Sequence, residues 1–252
     1  MSIAPNNLAL KKRLDRYFWS NNTGEMLFLR QLLEKHFMVF DRIAVIGGLV
    51  RDFAHEGRSG FHSDIDLVID APQEHVAKLA ALLNATPNRF GGFCSKQRPW
   101  KIDFWALETT WARQHQHVSI ESLEDIISCT FFDWDAIAYD LKEQKLICSE
   151  NYLNRIRSKI LDINLLPNPF PLGNLVRAVR RLIIWKAQPG QLLKQFIYEY
   201  LDDSALQYIH SKEVELYTSA VSTLWKTADE AKKAIFSIAD DRNSTQYELD
   251  LD

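Results

Sequence analysis

Few features of this 252-residue chain are abundant, and several are scarce. Cysteine occurs only at Cys94, Cys129 and Cys148, far apart and in no Cys-x-x-Cys pair. That argues against a disulfide framework and a zinc knuckle, and free thiols suit a reducing compartment. Glycine (9) and proline (8) are few, which excludes collagen-like repeats and long flexible linkers. No window approaches the run of about 18 apolar residues that spans a bilayer. Met1 to Leu10 has neither an apolar signal core nor a cleavage site. Charge of one sign is scarce too: 30 Lys+Arg against 33 Asp+Glu leave −3. A generally basic nucleic-acid binder is thereby excluded, but a local basic groove is not, because patches matter more than totals. The expectation is a soluble, cytoplasmic protein with no membrane partner.

What is present is ordinary globular material, with 46% hydrophobic and 25% charged residues. At roughly 150 residues per domain the length suits one large domain or two modest ones. The first forty residues read as two helices, one through Leu8, Leu10, Leu14, Tyr17 and Phe18. The second is capped by Thr23, with Met26, Leu29, Leu32, Leu33 and Phe37 on its apolar face. Arg42 to Ile46 is a β-branched run that stops at Gly47-Gly48. Val50 to Glu56 reads as a short helix, broken by Gly57, Ser59 and Gly60. Asp64 to Asp70 alternates as a strand does, and Pro72 opens a helix reaching Asn84. Gly91-Gly92 reads as a turn between strands, Trp100 to Leu107 as a strand and Leu123 to Ser128 as helical; Thr130 to Tyr139 fits either strand or loop. Pro167, Pro169 and Pro171 mark a boundary. Beyond it every pattern is helical: Leu172 to Lys186, Leu192 to Tyr200 and Lys212 to Ile238, then a polar, acidic tail from Asp240. The expected fold is α+β: a head of mixed sheet and helices over 1–168, then an all-helical domain over 169–252.

The chemistry concentrates in Val45-Ile46-Gly47-Gly48-Leu49-Val50-Arg51-Asp52 and Asp64-Ile65-Asp66. Strand residues two apart share a face, so Asp64 and Asp66 point together while Ile65 and Leu67 point away. Paired carboxylates repel and resist desolvation, and a hard cation such as Mg²⁺ relieves both. Gly47-Gly48 lets the backbone approach a triphosphate, the helix behind it offers N–H groups, and Arg51 adds a positive fork. A third carboxylate completes a two-metal site. Asp103 is the candidate, with Glu108 as the alternative. Taken singly, an Asp-x-Asp is usually a solvated strand edge and a Gly-Gly merely a turn. Their order within some 25 residues carries the argument.

These residues resemble the signature of the class II tRNA nucleotidyltransferase and bacterial poly(A) polymerase family, of the polymerase β-like superfamily. The resemblance is strong over 45–70 and faint elsewhere across 40–185. It implies that Asp64 and Asp66 hold catalytic metals, and that Gly47, Gly48, Arg51 and Asp52 handle the incoming triphosphate. Farther on, the family's Arg-Arg-Asp-Phe-Thr-Ile-Asn-Ala corresponds to Cys129-Thr130-Phe131-Phe132-Asp133-Trp134-Asp135-Ala136. Asp135 stands for the family's Asn, and the Arg-Arg-Asp is replaced, which removes two positive charges and one acceptor. Asn174 to Leu182 resembles the start of the family's neck, where an Arg-x-x-Arg pair contacts the nucleotide; here that pair is Arg177 and Arg180. The base-selecting Glu-Asp-x-x-Arg has no counterpart, since Glu199, Asp202 and Asp203 lack an Arg at the needed spacing.

The resulting expectation is a divergent, short nucleotidyltransferase with a two-ion Mg²⁺ site. It moves a nucleotide from an NTP such as ATP to an acceptor hydroxyl, foremost an RNA (tRNA) 3′ end. Catalysis and metal binding fall to Asp64, Asp66 and Asp103. Substrate binding falls to Gly47, Gly48, Arg51, Asp52, Asp135, Arg177 and Arg180. The alternatives are transfer onto a protein or small molecule, and an RNA-, nucleotide- or protein-binding pseudoenzyme. His115 and His117 read as a surface loop, and the tryptophans as core, with Trp134 beside Asp135 placed to stack on a base.

Overall fold

The computed structural model describes residues 3–57, 64–217 and 219–237. The chain forms two compact units, Met1–Arg157 and Ser158–Asp252. The proline-rich stretch expected at the boundary falls inside the second unit. The reason is local: β8 (Ile160–Leu161) already pairs in parallel with β9 (Gln188–Pro189), tying the chain before the prolines to the chain after them. Ser59, Gly60 and the acidic tail lie outside the described residues.

The first unit is built on a mixed sheet, seven-stranded among the described residues, in the order β3-β4-β5-β2-β1-β6-β7. Its strands are β1 (Arg42–Ile46), β2 (Ile65–Asp70), β3 (Thr86–Pro87), β4 (Phe93–Gln97), β5 (Trp100–Ala106), β6 (Ile137–Asp140) and β7 (Lys145–Cys148). Only β2 and β5 pair in parallel; the other pairings are antiparallel. Alternation gives each face its own core. Val45, Leu67, Phe104 and Tyr139 align across the sheet in register and are fully buried. Against that face lie α1 (Asn7–Asp15) and α2 (Gly24–Leu32), each running on into a wider π turn. Phe18 stacks on Tyr139 at 5.9 Å and Phe37 meets Phe104 edge-on at 5.4 Å. Thr23 sits at the start of α2 as expected, but its side chain makes no capping hydrogen bond.

The opposite face carries Ala44, Ile46, Val68 and Ala138, packed with Leu123 and Ile126. The segment Leu123–Cys129 is helical as anticipated, but it is a 3-10 helix. A reciprocal cap between Ser122 and Asp125 starts it. The ambiguous stretch 130–139 resolves into a 3-10 turn, Asp133–Asp135, followed by β6. The remaining helices of this unit are α3 (Gly48–His55), α4 (Gln73–Leu82), α5 (Trp111–Gln114) and α6 (Tyr152–Ser158). No helix among the described residues is long and apolar enough to cross a membrane.

The second unit is helical apart from β8 and β9: α7 (Pro171–Ile184), α8 (Gln191–Tyr200), α9 (Asp203–Leu216) and α10 (Ala228–Ser237). The single helix expected over Lys212 to Ile238 is therefore two, with a 3-10 turn at Ser222–Leu224 between them. The buried carboxylate of Glu213 explains the break. It accepts the backbone N–H groups of Val221 (3.2 Å) and Ser222 (2.8 Å), folding the chain back on α9. Gly190 precedes α8, where a Cβ would lie 2.2 Å from the Asp162 carboxylate. That carboxylate accepts the Leu193 N–H at 2.8 Å and so caps the helix start.

Candidate functional site

β1 ends where the backbone must turn sharply into α3. Gly47 makes the turn with φ of 71°, a left-handed conformation that a side chain resists. Its N–H donates to the Ile137 carbonyl at 2.9 Å, anchoring the turn to β6, and its carbonyl accepts the Arg51 N–H at 2.9 Å. Gly48 then opens α3, whose first N–H groups have no acceptor within the helix.

Arg51 and Asp52 sit on α3 with their side chains turned inward, only 7% and 6% exposed. The guanidinium donates Nε and Nη2 to one oxygen of Asp52, at 2.8 and 2.6 Å, and Nη1 to Asp135. Burial alone would lower the Arg51 pKa; the Asp135 and Asp52 charges outweigh it and hold the cation firmly protonated. The fork expected to meet a triphosphate is thus spent on two carboxylates of the chain itself. Asp135, read as the replacement for the family's Asn, is brought 84 positions along the sequence to this contact. Trp134 next to it is 1% exposed, and its carbonyl accepts the Tyr152 hydroxyl at 2.7 Å. It is core, and the base-stacking expectation for it is corrected. His55 lies over the Trp134 ring at 5.6 Å. Burial pushes its pKa below the ordinary histidine value, with Arg51 adding to the shift and Glu56 opposing it.

The carboxylates gather on β2 and β5. Asp66 and Asp103 are partners in the parallel register, as are Val68 and Trp105 two residues on. Both carboxylates therefore stand on one face, next to each other. Ile65 and Leu67 are fully buried on the other. Asp64, 45% exposed and just before β2, is linked to them by a residue outside the expected site set. The Lys101 ammonium lies between Asp64 and Asp103, hydrogen-bonded to both, at 3.1 Å from Asp103. Burial works to lower the Lys101 pKa, and the two carboxylates more than reverse it. Lys101 precedes Asp103 by two, so the same alternation that pairs Asp64 with Asp66 could have found it. Cys94 on β4 is the other register partner of Asp103. Burial raises its thiol pKa, and the hydrogen bond to Asp103 raises it further. Glu108, the alternative third carboxylate, instead accepts the Gln73 N–H at the start of α4.

The donors on β2 and β5 are of the kind that Mg²⁺ prefers, hard carboxylate oxygens. They are not placed as a ligand set. Among the described residues no three His, Cys, Asp or Glu side chains are grouped to hold a metal ion. The position between Asp64 and Asp103 belongs to Lys101. His115 and His117 lie exposed beside Trp111, with ring centroids 4.7 and 5.0 Å from it and 6.2 Å from each other.

In the second unit Arg177 and Arg180, one helical turn apart on α7, have different surroundings. Arg177 is exposed. Arg180 is 11% exposed and donates to Glu213 at 2.6 Å and to the Ser219 carbonyl at 2.7 Å. Its guanidinium carbon lies 3.7 Å over the Tyr217 ring.

No family model and no curated protein matches the chain. Solved structures do. A CCA-adding enzyme in its apo form I is similar with a TM-score of 0.57 at 17% identity, over 84% of this chain and 52% of that one. A tRNA-processing enzyme with CTP aligns with a TM-score of 0.49 at 23% identity, over 74% of this chain and 50% of that one. A tRNA nucleotidyltransferase complexed with a primer tRNA and an incoming ATP analog gives 0.48 and 23%, over 74% and 54%. The chain thus spans about half the length of the structures it matches, and what it shares with the CCA-adding enzyme is the fold.

Proposed function

We propose that this protein is a nucleotidyltransferase whose head moves a nucleotide from an NTP to an acceptor hydroxyl, foremost an RNA (tRNA) 3′ end. One observation carries the reading: Asp66 and Asp103 stand side by side in parallel register, on a fold shared with a CCA-adding enzyme. The Gly47-Gly48 turn and the first N–H groups of α3 are suited to the triphosphate tail. Asp103, the β5 carboxylate held by Lys101, would orient the acceptor hydroxyl and take its proton. Asp64, Asp66 and Asp103 carry the hard oxygens that Mg²⁺ prefers; only if drawn together as a set would they hold the ion, which would then supply positive charge for the phosphoryl oxygens. Arg177, exposed on α7, is available to contact RNA phosphate; Arg180, engaged by Glu213, serves the fold of its own unit. The cytoplasmic setting and the two-ion count belong to this same proposal.

A second reading, a nucleotide- or RNA-binding protein without transfer, draws on two observations. Arg51 is neutralised by Asp52 and Asp135, and the family's Arg-Arg-Asp is absent. The test offers each labelled NTP with Mg²⁺ to total tRNA, a random RNA and a protein extract, beside an Asp64→Ala, Asp66→Ala variant. Label entering one acceptor, and lost in the variant, supports transfer and identifies both substrates. NTP binding without label anywhere selects the binding protein. Neither label nor NTP binding sinks both.

A further inference from the structure

We infer that Lys101 is the resident cation of the carboxylate site: it holds Asp64 and Asp103 together in the metal-free protein and competes with a divalent ion for them. The inference rests on the carboxylate face described above and deepens the reading of that site. Asp66 and Asp103 on one face of adjacent strands, with Asp64 just before β2, repel one another, and that repulsion opposes pairing of the strands. Lys101 relieves it from within the sheet. Its ammonium contacts Asp64 on β2's leading edge and Asp103 on β5, so a single charge bridges the two strands. Arg42, by contrast, pairs with Asp140 and Glu124 elsewhere, and Arg51 is taken by Asp52 and Asp135. A lysine suits the task better than an arginine for a geometric reason. Its compact point charge fits between two carboxylates, and its long flexible stem can swing away.

Two consequences separate this role from that of an ordinary surface ion pair. A divalent ion binding Asp64 and Asp103 must first expel the ammonium from both, so the lysine weakens metal binding in proportion to its own hold. Two partly exposed ion pairs make that hold modest, which sets the handicap at about tenfold in affinity. Conversely, removing the lysine leaves the acidic face without its bridging cation, and a divalent ion then stabilises the folded protein more than it stabilises the wild type.

The experiment uses the full chain, stripped of metal with chelator and desalted. Mn²⁺ is titrated while the free ion is followed by electron paramagnetic resonance, for wild type, Lys101→Met and Lys101→Arg. Thermal melts run in parallel with and without Mn²⁺. The expected result is Mn²⁺ binding about tenfold tighter in Lys101→Met, with Lys101→Arg between the two because the charge is retained but the planar fork fits the gap less well. The Lys101→Met melt falls without Mn²⁺ and recovers with it. Should this variant fold only when Mn²⁺ is present, the same conclusion follows at larger amplitude. Equal affinities in wild type and Lys101→Met overturn the inference and leave the transferase proposal standing. Tighter binding in Lys101→Met with no nucleotide transfer by the wild type does the reverse. No Mn²⁺ binding by any of the three proteins overturns the inference along with the metal part of that proposal.

Discussion

Replacing Arg51 with methionine tests whether this residue holds the head together or serves a substrate. The guanidinium is 7% exposed and donates to Asp52, itself 6% exposed, and to Asp135, 17% exposed. Methionine keeps the volume of the stem but leaves two carboxylates facing each other with no cation between them. Breaking a buried pair by removing one partner costs about 3–5 kcal/mol. Asp135 retains some water, so the lower end applies, about 3 kcal/mol. In a protein of this size about 1 kcal/mol shifts Tm by roughly 2–4 °C, so the melt should fall by roughly 6–12 °C. Asp135→Asn is the internal control. It keeps an oxygen acceptor for Nη1 while Asp52 still neutralises the guanidinium, so a loss of about 1 kcal/mol is expected. Both numbers are read by urea denaturation followed by tryptophan fluorescence, with NTP binding measured on the same samples. If Arg51→Met melts with the wild type but loses NTP binding, the reasoning fails: the guanidinium would then leave its carboxylates for the substrate, as in the family that the sequence resembles.

Gly47→Ala forces a side chain into φ of 71°, which should cost about 1–2 kcal/mol by denaturation even though the nearest atom to a new Cβ, the Asp135 carbonyl, is 3.9 Å away. Glu213→Ala strips Arg180 of its carboxylate and leaves the Val221 and Ser222 N–H groups unpaired. A loss of about 3–5 kcal/mol is expected, with amide exchange accelerating first at 221–222. The Glu213 carboxyl is held below the ordinary glutamate value: burial opposes this, but the Ser222 and Arg180 hydrogen bonds prevail. Its stabilisation is therefore complete above the unfolded glutamate pKa and is lost as the pH falls through the lower folded value. His55 also has a lowered pKa. Between the ordinary histidine value and its folded one the unfolded chain binds the extra proton, so stability declines as the pH drops through that window. Denaturation midpoints from pH 8 to 4 should show the His55 decline first, and His55→Gln should remove it.

How much of this was legible in the residues alone depends on the range of the forces involved. A β-branched run marked β1, and alternation marked β2 and turned Asp66 away from Ile65 and Leu67, because strand geometry is a period-two property of neighbouring residues; Asp64, expected on the same strand, precedes it. Gly47-Gly48 marked the turn because a left-handed φ selects glycine locally. The helix α7 and its buried side were equally plain, since Leu175, Val176, Val179 and Leu182 repeat at helical spacing and all are buried. The resemblance to the tRNA nucleotidyltransferase family pointed to the fold later found in a CCA-adding enzyme.

Contacts between distant segments were decided only by the tertiary structure. Nothing near Arg51 announces that Asp135 will meet it, and nothing near Arg180 announces Glu213. Each is an ion pair closed by packing and by the cost of burying a lone charge. The parallel register that sets Asp66 beside Asp103 depends on how β5 enters the sheet, and the fate of Lys101 follows from that register. The break between α9 and α10 has the same origin, a carboxylate that captures backbone N–H groups beyond its own helix. Local residues specify the kinds of groups at the site and the strand faces they occupy, because those are set by dihedral geometry and polarity within a few positions. Which charges neutralise which was settled by tertiary structure, because partners are chosen by proximity in space.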